Sequence, residues 1–147
     1  MAIKTITVKG AANVIRKEGI AVAAITPGHL LERVAAGVQV HSTAAKRAAR
    51  AFAVENEVVG GDIDAVYAAL DTVLYGVFPP GAEVYAILAD SQTVVVGEFL
   101  ESNGDGTLKE VAVDTATDDT QRNSLIAVAL EAVTTSGAVA RIRCEVL

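Results

Sequence analysis

Between residues 72 and 113 the chain repeats one pattern: a short run rich in β-branched and aromatic residues, then a turn. Thr72-Val73-Leu74-Tyr75-Gly76-Val77-Phe78 is followed by Pro79-Pro80-Gly81, and residues 83–88 by Asp90-Ser91. Residues 93–100 are followed by Ser102-Asn103-Gly104-Asp105-Gly106, and residues 108–113 close the series. Proline fixes φ and glycine accepts positive φ, so these breaks predict tight turns between strands. Helices of ordinary length have no room in such a segment. The rest of the chain is punctuated in the same way. Residues 3–10 read as a β-prone strand, and Thr26-Pro27-Gly28, after the apolar run 19–25, as a turn. Residues 29–34, 37–41 and 52–55 add short strands, residues 124–133 a buried one, and 138–146 an alternating one. Only residues 42–51 and 62–70 leave room for one or two short helices. The prediction is a mainly β protein, a small antiparallel β-barrel or β-sandwich.

Size and composition agree. At 147 residues the chain is long enough for one domain with its own core. Hydrophobic residues make up 52% and aromatics 4%, so the core must be built from Ala, Val, Ile and Leu. With charged residues at 20%, the chain is too apolar to stay disordered. One cysteine, Cys144, excludes an internal disulfide. No apolar run spans a bilayer, and the start Met1-Ala2-Ile3-Lys4-Thr5 lacks a signal-peptide pattern, so a soluble protein is expected. The expected organisation is an N-terminal arm over residues 1–18 and one β-rich domain over 19–147.

Charge is unevenly placed. Residues 1–50 hold eight basic residues against two acids, a net +6, whereas residues 51–147 carry −12. The acidic bulk repels phosphate, and only Phe52 lies near the basic residues for base stacking. A protein partner with an acidic surface therefore fits better than nucleic acid.

Signals for chemistry are few. A calcium loop starting at Glu101 would place Asn103, Asp105 and Gly106 well, but Glu101 stands at its first position and Ala112 at its twelfth. A hairpin turn is the simpler expectation. By parity Ile142, Cys144 and Val146 share one strand face and Arg141, Arg143 and Glu145 the other, which makes Cys144 a small buried hydrophobe. His29 and His41 are isolated and read as surface or rim histidines. Ser42-Thr43 and Thr134-Thr135-Ser136 lie in no nucleophile motif, and Val58-Val59-Gly60-Gly61-Asp62 lacks the Lys of a phosphate loop. The acid pairs Asp62/Asp64 and Asp118/Asp119 read as solvated. No enzyme, no cofactor and no metal site are expected. Thr72-Val73-x-x-Gly76-x-Phe78 echoes Thr93-Val94-x-x-Gly97-x-Phe99, too briefly to be a repeat.

Several runs carry a family resemblance. Ala51-Phe52-Ala53-Val54-Glu55-Asn56 and Asp64-Ala65-Val66-Tyr67-Ala68-Ala69-Leu70-Asp71-Thr72-Val73 resemble the head decoration (cement) proteins of tailed bacteriophages. So do residues 81–89, 97–108 and 127–133. The likeness covers most of the chain from about Gly19. It implies a β-tulip-like domain with an extended N-terminal arm, bound to the major capsid protein on the outer surface of the virion. It also implies homotrimers at three-fold positions, stabilising the shell against packaged DNA, made in the host cytoplasm. On that reading Ile3, Lys4, Thr5, Ile6, Thr7, Val8 and Lys9 add a strand to a capsid-protein edge, with no direct nucleic acid or membrane partner. Two other classes compete: a tail or tail-tube subunit, found in isolated tails, and a small-molecule-binding or enzymatic β-barrel, which a ligand would stabilise against heat.

Overall fold

The structure, a computed structural model, describes residues 2–111 and 123–147. The chain makes β1 (Thr7–Lys9), β2 (Ile15–Ile20), β3 (Leu30–Val34), β4 (Gly37–Val40), β5 (Ala51–Ala53), β6 (Thr72–Val77) and β7 (Glu83–Leu88). β8 (Thr93–Val94), β9 (Phe99–Ser102), β10 (Leu108–Glu110), β11 (Ala127–Ala129), β12 (Val133–Thr134) and β13 (Ala140–Val146) follow. Helix among the described residues is limited to single turns at Ala11–Asn13 and Glu57–Val59 and the pair Asn123 and Ser124. The expected small β-barrel is present.

The barrel proper runs β7-β10-β9-β11-β13, and β13 returns to pair with β7 along its length, from Ala140 opposite Leu88 to Glu145 opposite Glu83. One contact is parallel, Leu108 opposite Leu88 on β10 and β7, and it is the step that closes the ring. A second sheet runs β2-β6-β5-β3-β4. Its two edges meet where Ala21 bridges Val38 and the Val22 N–H donates to the Val38 carbonyl at 2.9 Å.

Alternation explains how the two sheets join. On β5, Phe52 points into the main core with Leu30, Val84, Leu100 and Ile142, while Ala51 and Ala53 point into a second core with Leu31, Val38, Val73 and Tyr75. β3 splits in the same way, Leu30 to one side and Leu31 to the other. β5 and the start of β3 are thus a shared wall buried on both faces, and there Ala51-Phe52-Ala53 and Leu30-Leu31 are uninterrupted apolar residues. The Phe52 ring meets Phe78 edge-on at 5.6 Å between centroids.

Two expected strands are broken, and of the strand expected over residues 3–10 only Thr7–Lys9 forms. Residues 93–100 are not one strand: the chain turns at residues 95–98, where Gly97 takes φ +92° and the Glu98 carboxylate accepts the Val95 N–H. The echo with residues 72–78 therefore has no structural counterpart, because that segment is the unbroken β6. Gly76 is glycine there for another reason, since a Cβ would lie 2.5 Å from Val14 Cγ1. Residues 124–133 are likewise broken, into a helical pair, β11 and β12, with a bend at Leu130 and Glu131. Residues 42–50 and 62–70, where the sequence allows a loop or a short helix, are largely exposed loops with no α-helix. The expected loop at 114–123 lies, apart from Asn123, outside the described residues, as do Ala112, Asp118 and Asp119.

The N-terminal segment is seated on the body. β1 pairs with β7 through Thr7 opposite Val84 and Lys9 opposite Glu83, and residues 15–18 lie within β2, paired to β6.

Candidate functional site

The residues expected to form a binding arm divide into two groups. Ile6 is fully buried in the main core, its N–H donates to Glu55 Oε2 at 3.1 Å and its carbonyl accepts the Tyr85 N–H. Thr7 and Val8 are half-buried, and Lys9 Nζ lies 3.0 Å from Glu83 Oε1. Lys4 and Thr5 are exposed, with the Thr5 hydroxyl on the Thr7 carbonyl, and Ile3 is half-buried. Among the described residues β1 pairs with β7 alone, which leaves its other side without a strand. An exposed strand edge is a template for pairing with another chain.

Ile3 lines an open groove of about 500 Å³ with Tyr85, Ile87, Val139 and Arg141. Arg141 organises this region. Its guanidinium donates to the Pro27 carbonyl at 2.9 Å, to the Ile63 carbonyl and to Asp64 Oδ1 at 3.2 Å, and it lies over the Tyr85 ring at 5.8 Å. Gly28 lets it in, because a Cβ there would stand 2.7 Å from Arg141 Nη1. One side chain thus ties two loops to the barrel. Strand parity marked Arg141 as outward-facing, but nothing local shows that its partners lie 114 and 78 residues away.

The other candidates for chemistry are spent on structure. Cys144 is fully buried, its Sγ 3.7 Å from the Val84 carbonyl, and burial pushes its pKa up to about 12. A thiolate is the reactive form, so Cys144 should not react with a thiol reagent at pH 8 in the folded protein and should react fully in denaturant. A thiol titration with and without guanidinium chloride checks this; rapid labelling of the native protein contradicts it.

Asp105 closes the β9–β10 hairpin. Its Oδ1 accepts the Thr107 N–H at 3.0 Å and the Thr107 hydroxyl at 2.5 Å. Burial alone would raise its pKa, but the bonds from Thr107 and Asn103 outweigh that and hold it below the usual carboxylate range. The turn residues are therefore bonded to one another, as a hairpin requires.

His41 is corrected from a rim residue to a buried one, 4% exposed. Its Nδ1 lies 2.7 Å from Ser102 Oγ and its Nε2 3.3 Å from the Arg47 carbonyl. Glu32 Oε2 is 3.9 Å from Nε2. Ser102 is itself fully buried and accepts the Gly104 N–H, so this Ser–His–Glu cluster pins a loop to the barrel and presents no open hydroxyl. His29 is half-buried and accepts the Thr26 N–H on Nδ1; burial lowers its pKa, Asp105 opposes this and Arg141 adds to it. Glu101 and Ser124 form another buried pair at 2.7 Å. Among the described residues no three His, Cys, Asp or Glu side chains are grouped to hold a metal ion, and no helix is long and apolar enough to cross a membrane.

Comparison with solved structures places this arrangement. The chain is similar in fold to the head fiber gp8.5 N base of bacteriophage phi29. The TM-score is 0.57 at 10% sequence identity, over 91% of this chain and 94% of that one. No family model matches the sequence, and no curated protein matches it.

Proposed function

We propose that this chain is a structural protein of a phage head, bound to the outer surface of the capsid. The observation that carries the proposal is the fold shared end to end with a head fiber base. The resemblance of residues 51–56, 64–73, 81–89, 97–108 and 127–133 to head decoration proteins supports the same reading. The polar groups also fit it: Ser102, Glu101 and Asp105 are bonded within the fold, and His41 and Arg141, which reach open hollows, are held by Ser102 and by the Pro27 carbonyl. The protein would act through interface area, without cofactor or catalysis, and would be found in the virion.

In this reading the partner is the major capsid protein. The protein sits as homotrimers at three-fold positions and holds neighbouring capsid subunits against the pressure of packaged DNA. Many weak contacts on a closed lattice sum to a stable coat. The contact is made by Ile3, Lys4 and Thr5 together with the free side of Thr7, Val8 and Lys9. Ile6 anchors that segment from within the core.

The anchoring determines the test. Removing residues 1–10 would empty the Ile6 site and cost about 2–5 kcal/mol of stability, which confounds any binding assay. Removing residues 2–5 leaves Ile6 in place. The shortened protein should keep its melting temperature within roughly 2 °C and lose at least about tenfold in affinity for heads, measured by co-sedimentation with heads lacking the protein. Undiminished binding by the shortened chain would remove residues 3–5 from the interface. Failure of the full-length protein to co-sediment with heads would overturn the capsid reading itself.

A further inference from the structure

An open basin of about 750 Å³ lies beside residues 42–50, with Arg33, Arg47 and Arg50 around it and His41 at its buried side. We infer that this basin is a docking site for a carboxylate-bearing protein surface, a cluster of Asp and Glu side chains on a neighbour in the particle. The inference rests on the capsid reading for the neighbour's identity. The basin itself stands on this chain's own geometry.

Three arginines meet here with little to balance them. The ion pairs among the described residues join Lys9 to Glu83, His41 to Glu32, Lys109 to Glu101 and Arg141 to Asp64, and none includes Arg33, Arg47 or Arg50. Glu32 is the acid on the basin wall, and its carboxylate already accepts the Gln39 amide at 2.7 Å and the Ser42 hydroxyl at 2.6 Å. Arg50 is fixed in place. Its guanidinium donates to the Ala48 carbonyl at 2.8 Å, the Leu125 carbonyl at 2.6 Å and the Leu147 carbonyl at 3.3 Å. Burial and then the charge of Arg47 both lower the Arg50 pKa. Arg33 and Arg47 are exposed beside Arg50, and a guanidinium offers a planar fork that matches a carboxylate.

The loop that carries two of these arginines is held in a strained shape. Ala45 and Arg50 both take left-handed backbone angles, φ +53° and +52°. The Ala45 N–H bonds to the Ser102 carbonyl, and Gly104 makes room for Ala44, because a Cβ there would lie 2.8 Å from the Ala44 nitrogen. Left-handed residues persist where surrounding structure enforces them, and they concentrate at functional positions.

Carboxylates suit the basin better than nucleic acid. Phe52, the nearest aromatic in sequence, is fully buried and offers no face to a base. The −12 carried by residues 51–147 repels an anion in proportion to its charge, so a long polyphosphate is opposed more than a compact carboxylate cluster.

The test uses the full chain and a fluorescein-labelled hexaglutamate peptide, read by anisotropy at about 50 mM and about 300 mM salt. Arg33→Glu/Arg47→Glu reverses two exposed side chains and leaves Arg50 in place. This variant should keep its melting temperature and lose at least about tenfold in peptide affinity. Arg16→Glu/Lys17→Glu, with the same change in net charge on exposed residues that do not line the basin, should stay within about twofold. Peptide binding by the arginine variant equal to that of the original chain overturns the inference. So does an oligothymidylate of matched charge that binds more tightly than the peptide. Co-sedimentation with heads separates the two readings. Original protein that pellets with heads but does not bind the peptide ends the basin proposal alone. Peptide binding that the arginine variant loses, with no pelleting of the original protein, ends the capsid reading alone.

Discussion

Phe52→Ala is expected to cost about 3–5 kcal/mol, enough to leave much of the protein unfolded at 37 °C. The ring is fully buried, pairs edge-on with Phe78 and fills the main core from the wall that both sheets share. Alanine would remove that volume at a place where neither sheet can relax independently. Ala51 and Ala53 hold the opposite face against Tyr75 and Val73, so moving β5 into the void would open the second core. Chemical denaturation followed by circular dichroism measures the loss. Val58→Ala is the control, since Val58 is 88% exposed and its loss should change stability by less than about 0.5 kcal/mol. A Phe52→Ala cost below about 1.5 kcal/mol would mean that the two sheets do not share a tightly packed wall.

Gly37→Ala should be nearly as damaging, at about 3 kcal/mol or more. Gly37 begins β4 with φ +145°, and a Cβ there would lie 2.1 Å from the Ile20 carbonyl oxygen. That oxygen belongs to backbone and cannot swing away. The substitution must push β4 from β2 and break the contact of Ala21 and Val22 with Val38 that brings the second sheet's edges together. A fall of roughly 6–12 °C in melting temperature follows for a chain of this size. Gly60→Ala separates backbone strain from collision. Gly60 takes φ +75° with nothing within 4 Å of the added carbon, so its cost should be only about 1–2 kcal/mol. Equal costs at the two glycines would contradict the account of how the second sheet closes.

Much of the strand content could be read from the chain because turn chemistry is local. Pro79-Pro80-Gly81 sets the turn between β6 and β7, and Asn103-Gly104-Asp105-Gly106 sets the β9–β10 hairpin whatever the rest of the fold does. The parity of residues 142–146 was legible too, since one face of β13 meets the core and the other does not: Ile142, Cys144 and Val146 are buried. What stayed hidden was long-range. The parallel contact of Leu108 with Leu88 has no sequence signal. The breaks at Gly97 and Leu130 lie inside apolar runs, and distant partners join there: the Gly97 N–H reaches the Ala129 carbonyl and the Leu130 N–H the Arg143 carbonyl. Alternation across residues 3–8 announced a strand but not its partner on β7. His41 looked ordinary because Ser102, its nearest hydroxyl, lies 61 residues away. Of the basin, sequence showed an excess of basic residues before Arg50, and only the fold gathers Arg33, Arg47 and Arg50 around one hollow.

The central claim is a place on a phage head, and quantitative mass spectrometry of purified particles from the source lysate tests it most directly. The account predicts this protein in the head fraction at a copy number comparable to that of the major shell protein, and its depletion from separated tails. Absence from purified particles, or recovery in tails alone, would contradict it.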